Sequence, residues 1–464
     1  MGDKTVAAHT LGCKVNQRDT ESLLELFRQR GYRVVEFNRP ADVYLVNTCT
    51  VTHLGDRKSR QVIRQALRRN PSAKVVVTGC YAQRAPEEIA GIPGVSLIVG
   101  TRGRGRLVEL VEGLPAPRPG AAPPPPLQLV GSSREPAGFE ELPPVCERGR
   151  TRALVKVEEG CNQFCSYCIV PYTRGPVCSR RPEDIIAEIT ALVEHGYREV
   201  VLTGIHTSAY GQDLQVAGER RNLATLIEQI LEAVPELKRL RVSSVEPTEV
   251  PPEIPDLMKR YPAFCRHLHL PLQSGDDQIL AAMRRPYTSR QYVGIVEELR
   301  RRVAGLAVTA DVMVGFPGET APQFWRTYHL VKDLALSDLH VFKYSPRPGT
   351  PAASLPHQVA PRDKEERSRL LLGLARELRR DFASRFLGEE MEVLLEQPLL
   401  PGKSAGREGT ARLPAEEKTV LWEGYTGNYL RVAVPRAAGA DASGQLVRVR
   451  LKQLDSNCLR GEII

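Results

Sequence analysis

The chain reads as an α/β protein in three parts: a small parallel-sheet domain, a larger partial barrel of the TIM type, and a small β-barrel at the end. Three observations predict this. Short apolar β-type runs alternate with helical periodicity from residue 5 to about 113, and the alternation resumes on a larger scale from 151 to about 378. Beyond residue 386 the helical pattern gives way to β-type runs alone.

In the first part, β-type runs fall at 5–9, 43–47, 74–78 and 95–99, and helical patterns at 21–30 and 59–69. Such alternation calls for a parallel sheet, which sends the C-terminal ends of its strands to one edge. The loops expected there, 10–17, 48–52 and 79–83, carry Cys13, Cys49 and Cys80, so these cysteines converge although they are far apart in sequence. This domain is taken as residues 1–113. Residues 114–147 are dense in proline, with Pro123 to Pro126 consecutive, and read as an extended linker without a packed core of its own.

A second domain, residues 148–380, shows six strands at 153–157, 199–202, 239–243, 267–270, 307–314 and 338–343, with helices between them. That count suits a barrel or partial barrel whose chemistry sits at the C-terminal ends of its strands. A charged helical stretch at 362–386 leads into β-type runs at 391–396, 419–423, 429–434 and 446–452, so residues 381–464 are read as a small closed β-barrel.

The chain has 464 residues, 42% of them apolar, and a net charge of +9, which favours a polyanionic partner. No stretch approaches the roughly 20 apolar residues that span a bilayer, and the start of the chain lacks the apolar segment of a signal peptide. The expectation is a cytoplasmic protein with no membrane partner. Ten cysteines in a reducing compartment are better read as metal ligands or catalytic thiols than as disulfides.

Their spacing decides the chemistry. Cys161, Cys165 and Cys168 form a CxxxCxxC triplet directly after a predicted strand. Three thiolates hold three irons of a [4Fe–4S] cube and leave the fourth open. An open iron can chelate the amino and carboxylate groups of S-adenosylmethionine (SAM), so that one electron breaks the S–C5′ bond and releases a 5′-deoxyadenosyl radical. A structural zinc site is the competing reading, but it needs a second paired half that this spacing lacks. Gly204, Gly315 and Gly318 follow predicted strands on one barrel face, each either an ordinary βα turn or a place for backbone to meet a ligand, and Ser243, Ser244 and Glu246 lie at another strand end, in reach of the ribose or methionyl part of SAM. His267, His269, Gln273 and Ser274 sit at a further strand end, and at both of these ends a packed, hydrogen-bonded role is as common as a working one.

The order Leu11-Gly12-Cys13-Lys14-Val15-Asn16-Gln17, then Asn47-Thr48-Cys49, then Thr78-Gly79-Cys80, then the triplet, resembles the radical SAM methylthiotransferases over almost the whole chain. The first motif and Gly204-Ile205-His206 resemble the branch that modifies N6-threonylcarbamoyladenosine in tRNA; other branches act on isopentenyladenosine or on a ribosomal protein. The resemblance implies that Cys13, Cys49 and Cys80 hold a second [4Fe–4S] cluster, whose free iron carries the sulfur to be inserted. It implies that SAM serves twice, as methyl donor and as radical source, and that the methylthio group arrives at C2 of the adenine next to the anticodon. It further implies a C-terminal TRAM domain that binds RNA, a tRNA anticodon stem-loop as partner, and an external electron donor and sulfur source. Cys146, Cys178, Cys265 and Cys458 match no ligand spacing and read as ordinary thiols.

On the RNA side, Arg57, Lys58, Arg60, Arg64, Arg68 and Arg69 crowd the helix after the Cys49 loop, either to hold a phosphate backbone or as a solvated charged face. Arg448, Arg450 and Lys452 alternate on one strand face, and Tyr425 and Tyr429 either stack on a base or pack the barrel. Acidic and basic residues almost cancel beyond Arg379, so recognition by this domain would rest on local patches. Two alternatives stay open: transfer to a protein side chain, and a non-catalytic RNA-binding protein whose thiols hold zinc.

Overall fold

A computed structural model describes residues 4–115, 123–135, 138–145, 151–214, 221–399, 419–437, 439–455 and 458–464. Its first unit is a six-stranded, all-parallel sheet of β1 (Thr5–Thr10), β2 (Arg33–Val35), β3 (Val43–Thr48), β4 (Lys74–Gly79), β5 (Val95–Val99) and β6 (Leu127–Leu129), in the order β2-β1-β3-β4-β5-β6. β3 is buried along its full length and β4 nearly so, which is why both read as continuous apolar runs. Alternate residues feed two cores: Val6, Leu45 and Val76 pack with Leu23 and Phe27 on one face, while Ala7, Val46 and Val75 pack with Ile63 and Ala66 on the other.

Helices α1 (Lys14–Gln29), α2 (His53–Arg69) and α3 (Cys80–Arg84) follow β1, β3 and β4 at the same sheet edge. Residues 14–17 are therefore helix rather than loop. Cys13 occupies the cap position in extended conformation without a side-chain cap bond, and the first turn has no acidic residue, so the usual markers of a helix start are missing. The proline-rich segment is tied down at several points. Leu127–Leu129 pairs with β5, Glu140 meets Arg104 at 2.9 Å, and the Pro143 carbonyl accepts from Ser22 at 2.8 Å.

The second unit contains β7 (Arg152–Lys156), a short antiparallel ribbon of β8 (Glu158–Glu159) with β9 (Cys178–Ser179), then β10 (Glu199–Thr203), β11 (Arg239–Val242), β12 (His267–His269), β13 (Ala307–Val314) and β14 (Asp338–Lys343). β7, β10 and β11 pair in parallel, as do β12, β13 and β14; the isolated bridges Leu240–Phe264 and Ser244–His269 join the two halves. Among the described residues no ladder joins β14 to β7, so the barrel is partial. Val155, Val200, Val242, Leu268 and Val308 pack beneath helices carrying Ile185, Ile227 and Val296. The alternate positions Arg152, Glu199, Arg241, His267 and Thr309 face a polar lumen.

The third unit is a closed barrel of β15 (Glu390–Pro398), β16 (Thr419–Thr426), β17 (Arg431–Ala437), β18 (Leu446–Asp455) and β19 (Cys458–Ile463). β19, which the sequence reading left out, pairs with both β18 and β17 and completes the closure. Among the described residues, no helix is long and apolar enough to cross a membrane.

Candidate active site

Two glycines bring the first three cysteines together. Gly12 sits at φ +105°, and a Cβ there would lie 3.0 Å from Cys49 Cβ and 3.1 Å from its Sγ. Gly79, at φ +95°, has no room for a side chain either, since its Cβ would come within 2.3 Å of Asn47 Oδ1. Asn16 donates to the Leu11 and Thr48 carbonyls at 2.7 and 3.0 Å, and Asn47 donates back to the Asn16 carbonyl at 2.9 Å. This clamp locks the Cys13 loop to the Cys49 strand. Burial raises the Cys13 thiol, against the charge of Arg174; burial and the charge of Cys80 push Cys49 up to about 12. Cys13 is exposed, Cys49 half-buried and Cys80 buried, and together they form a donor set suited to a bound cationic centre.

Cys161, Cys165 and Cys168 occupy the loop after β8. The Cys161 N–H donates to the Gly175 carbonyl at 3.0 Å, and the Cys168 N–H to that of Cys165 at 3.0 Å, so the backbone winds the thiols toward one point. Burial raises Cys161, and it pushes Cys168 up to about 12 with help from the charge of Cys165. The donor chemistry of both sets fits iron–sulfur ligation.

Each trio has a buried arginine that sequence reasoning missed. Arg174 donates from Nε to Cys80 Sγ at 3.3 Å, and its other nitrogens reach Asn16, Asp19 and Glu159. Arg285 donates to Cys165 Sγ at 3.3 Å and pairs with Glu246. A third, Arg347, is 1% exposed, bonds Thr50 and Asp56 through Nη2, and leaves Nε and Nη1 without a partner. Its loop also touches the triplet loop, because the Ala352 N–H donates to the Ser166 carbonyl at 2.8 Å.

The other predicted positions are placed as follows. A Cβ on Gly204 would sit 2.7 Å from Glu158 Oε2, which accepts from the His206 N–H at 2.6 Å; Glu158 Oε1 is buried without a partner, and burial pushes this carboxyl well up. His206 Nδ1 lies 3.7 Å from Cys161 Sγ. The Ser243 hydroxyl lies 3.2 Å from that of Thr207. Gly315 and Gly318 have positive φ, and their N–H groups donate to Glu319 at 2.6 Å and to the His357 carbonyl at 2.9 Å. Ser244 forms an isolated bridge with His269, and His267 and His269 share the Thr309 hydroxyl, while Gln273 and Ser274 are buried and pack beside them. Cys178 pairs in the β8–β9 ribbon, Cys265 is buried, Cys458 starts β19, and Cys146 lies outside the described residues. Tyr425 and Tyr429 pack: Arg152 lies 5.3 and 5.4 Å from their rings.

A cavity of about 580 Å³ opens beside these loops, lined by Lys14, Gln17, Arg152, Leu154, Val201 and Tyr429 among others. It runs from the Cys13 end of α1 to the C-terminal barrel, a size suited to a small-molecule group.

Family models match the chain twice: the uncharacterized protein family UPF0004 over residues 5–100 and the radical SAM superfamily over residues 155–331. The chain is 41% identical over 447 residues to the threonylcarbamoyladenosine tRNA methylthiotransferase MtaB of Bacillus subtilis, covering 96% of this chain and 93% of that protein. The chain belongs to the radical SAM methylthiotransferase family. A second relative in this family, the tRNA-2-methylthio-N(6)-dimethylallyladenosine synthase of Moorella thermoacetica, is 35% identical over 99% of this chain and 98% of that protein. The fold also resembles that of the radical SAM methyltransferase TsrM from Kitasatospora setae, with TM-score 0.55 and 17% identity over 76% of this chain and 77% of that one. As a methylthiotransferase with SAM and a [4Fe–4S] cluster, the chain is a transferase of radical chemistry, and the closed C-terminal barrel matches the TRAM-like domain expected of it.

Proposed function

We propose that this methylthiotransferase modifies C2 of N6-threonylcarbamoyladenosine next to the anticodon of tRNA, using two [4Fe–4S] clusters. The observation that carries the reading is the pair of thiol trios, Cys13, Cys49, Cys80 and Cys161, Cys165, Cys168, on loops of two units joined by Arg174, which follows the triplet and donates to Cys80 Sγ at 3.3 Å. The relatives named for threonylcarbamoyladenosine, from Bacillus subtilis and from Aquifex aeolicus at 39% identity, support the substrate.

The triplet would hold the SAM-binding cluster and the other trio the second one; when bound, these groups supply radical generation and the sulfur to be transferred. The chain's own residues set the surroundings. Arg174 and Arg285 donate N–H bonds to thiolate sulfur and stabilise negative charge there. Gly204, Ser243, Glu246, Gly315 and Gly318 stand at the strand ends where SAM would lie, with the unsatisfied Glu158 Oε1 as an acceptor for its ammonium. Arg57, Lys58, Arg64 and Arg68 are exposed on α2 beside the Cys49 loop and can meet the phosphates of an anticodon stem-loop. The target base has to leave its stack to enter the chamber, which a loop nucleotide does at low cost. An electron donor and a sulfur source come from outside the chain, and tRNA chemistry places the protein in the cytoplasm.

Mass spectrometry of tRNA nucleosides from cells with and without the gene tests this. The 2-methylthio derivative of threonylcarbamoyladenosine should vanish without the gene and return with it. Its persistence, with loss of the dimethylallyl derivative instead, would overturn the substrate.

A further inference from the structure

The chamber carries an ionised side chain that the protein leaves unmatched. Lys14 is the first residue of α1, where the helix dipole disfavours a cation, and no acidic residue occupies that turn. It is exposed into the chamber it lines. Among the described residues its ammonium makes no hydrogen bond and no ion pair.

The ionised groups nearest to it do not offer one. Arg152 and Arg241 repel it. Glu199 is bonded by Arg241 at 2.8 Å and lies 3.5 Å from Arg239. Of the carboxylates in the chamber wall, Glu396 is held by Arg152 at 2.8 Å, and Asp441 accepts the Ser443 N–H at 2.9 Å. A solvated ammonium loses its water when a ligand fills the chamber, which is costly unless the ligand brings an anion. Lys14 directly follows Cys13, so the chamber reaches the end of α1 that starts at the first thiol-bearing loop.

We propose that Lys14 pairs with the carboxylate at the end of the threonylcarbamoyl arm and so selects this nucleoside over adenosines with an apolar N6 substituent; the proposal rests on the substrate reading above. A dimethylallyl arm offers no charge, and binding it would leave the ammonium desolvated and unpaired. Selection therefore comes from one attractive pairing and from the penalty against the neutral arm.

The test uses the reconstituted holoenzyme and three anticodon stem-loops: one bearing threonylcarbamoyladenosine, one with its carboxylate replaced by carboxamide, and one bearing dimethylallyladenosine. Dissociation constants and KM are measured for the wild type, Lys14→Gln and Lys14→Arg at equal iron content. The wild type should bind the carboxylate form roughly 30-fold more tightly than the carboxamide form. Lys14→Gln should erase that ratio by weakening the carboxylate form alone, and Lys14→Arg should restore most of it. A Lys14→Gln enzyme that modifies the threonylcarbamoyl stem-loop and keeps the wild-type ratio overturns the proposal and leaves the substrate reading intact. Equal weakening toward all three stem-loops overturns it too, as a structural effect. A wild type that turns over only the dimethylallyl stem-loop overturns the substrate reading and the proposal together.

Discussion

Arg174 and Arg285 are matched devices at two places, each a buried guanidinium with one nitrogen on a cysteine sulfur and others on carboxylates, with Asn16 as a further acceptor for Arg174 and the Tyr287 hydroxyl for Arg285. Each links its thiol trio to charges that hold the loop in place, and under the two-cluster proposal the trios take different steps. Cys165→Ala should abolish 5′-deoxyadenosine formation, whereas Cys49→Ala should spare it and block sulfur insertion. Product and 5′-deoxyadenosine measured on the same samples check this, and equal loss of 5′-deoxyadenosine in both variants would sink the division. The triplet was legible in the sequence because its spacing is a local pattern, and the convergence of Cys13, Cys49 and Cys80 because each follows a strand of one parallel sheet. The arginines were not, because nothing local distinguishes Arg174, Arg285 or Arg347 among 64 cationic residues. Their roles come from contacts such as Arg347 with Thr50, which bridge almost 300 positions.

Among elements, α2 joins the Cys49 loop to the solvent. Its Asp56 and Ser59 are buried toward the loop, and Arg60 and Arg69 are tied to Tyr81 and to the Phe37 carbonyl. Arg57, Lys58, Arg64 and Arg68 stay exposed and without partners among the described residues. A face merely solvated would bind no phosphate. Replacing these four residues with alanine should weaken binding of an anticodon stem-loop and flatten the plot of log affinity against log salt by about 0.7 to 0.9 per lost contact, without changing iron content. Filter binding across a salt series reads this directly; an unchanged slope would assign the face to solubility alone. The arginine and lysine alternation of β18 behaves differently, since Arg448 and Arg450 both pair with Glu390 and Lys452 pairs with Glu462. Strands with strong apolar runs were read nearly to the residue. β6 and β19 were missed because three residues in a proline-rich segment, and a short final run, take their pairing from the sheets they join.

At the scale of the whole molecule, a buried polar seam joins the first unit to the barrel. Asp19 on α1 meets Arg104 at 2.6 Å, Lys156 at 2.9 Å and Arg174 at 3.2 Å, and all four side chains are nearly inaccessible. Burial alone would raise the Asp19 carboxyl, but the three cations outweigh it and hold the group far below its ordinary 3.8; Glu159, held by Arg174 and Lys156, is lowered too. A carboxylate depressed by folding contributes stability that is present above its ordinary value and is lost as pH falls through the folded one. Docking of the two units should therefore weaken as pH drops below about 4, and should hold from there to neutrality as far as these groups are concerned. Asp19→Asn removes the shared anion and leaves Arg104 with Glu140 alone and Arg174 and Lys156 with Glu159 alone, a loss of up to about 3 kcal/mol by the measure of other buried pairs. The variant should open the 114–147 segment to protease at pH 7 and lower the first unfolding transition. Asp256→Asn, which breaks an exposed pair with Arg302, should do neither. If both variants resist protease as the wild type does, the seam is not what holds the two thiol trios together, and apolar contact between the units must hold them instead.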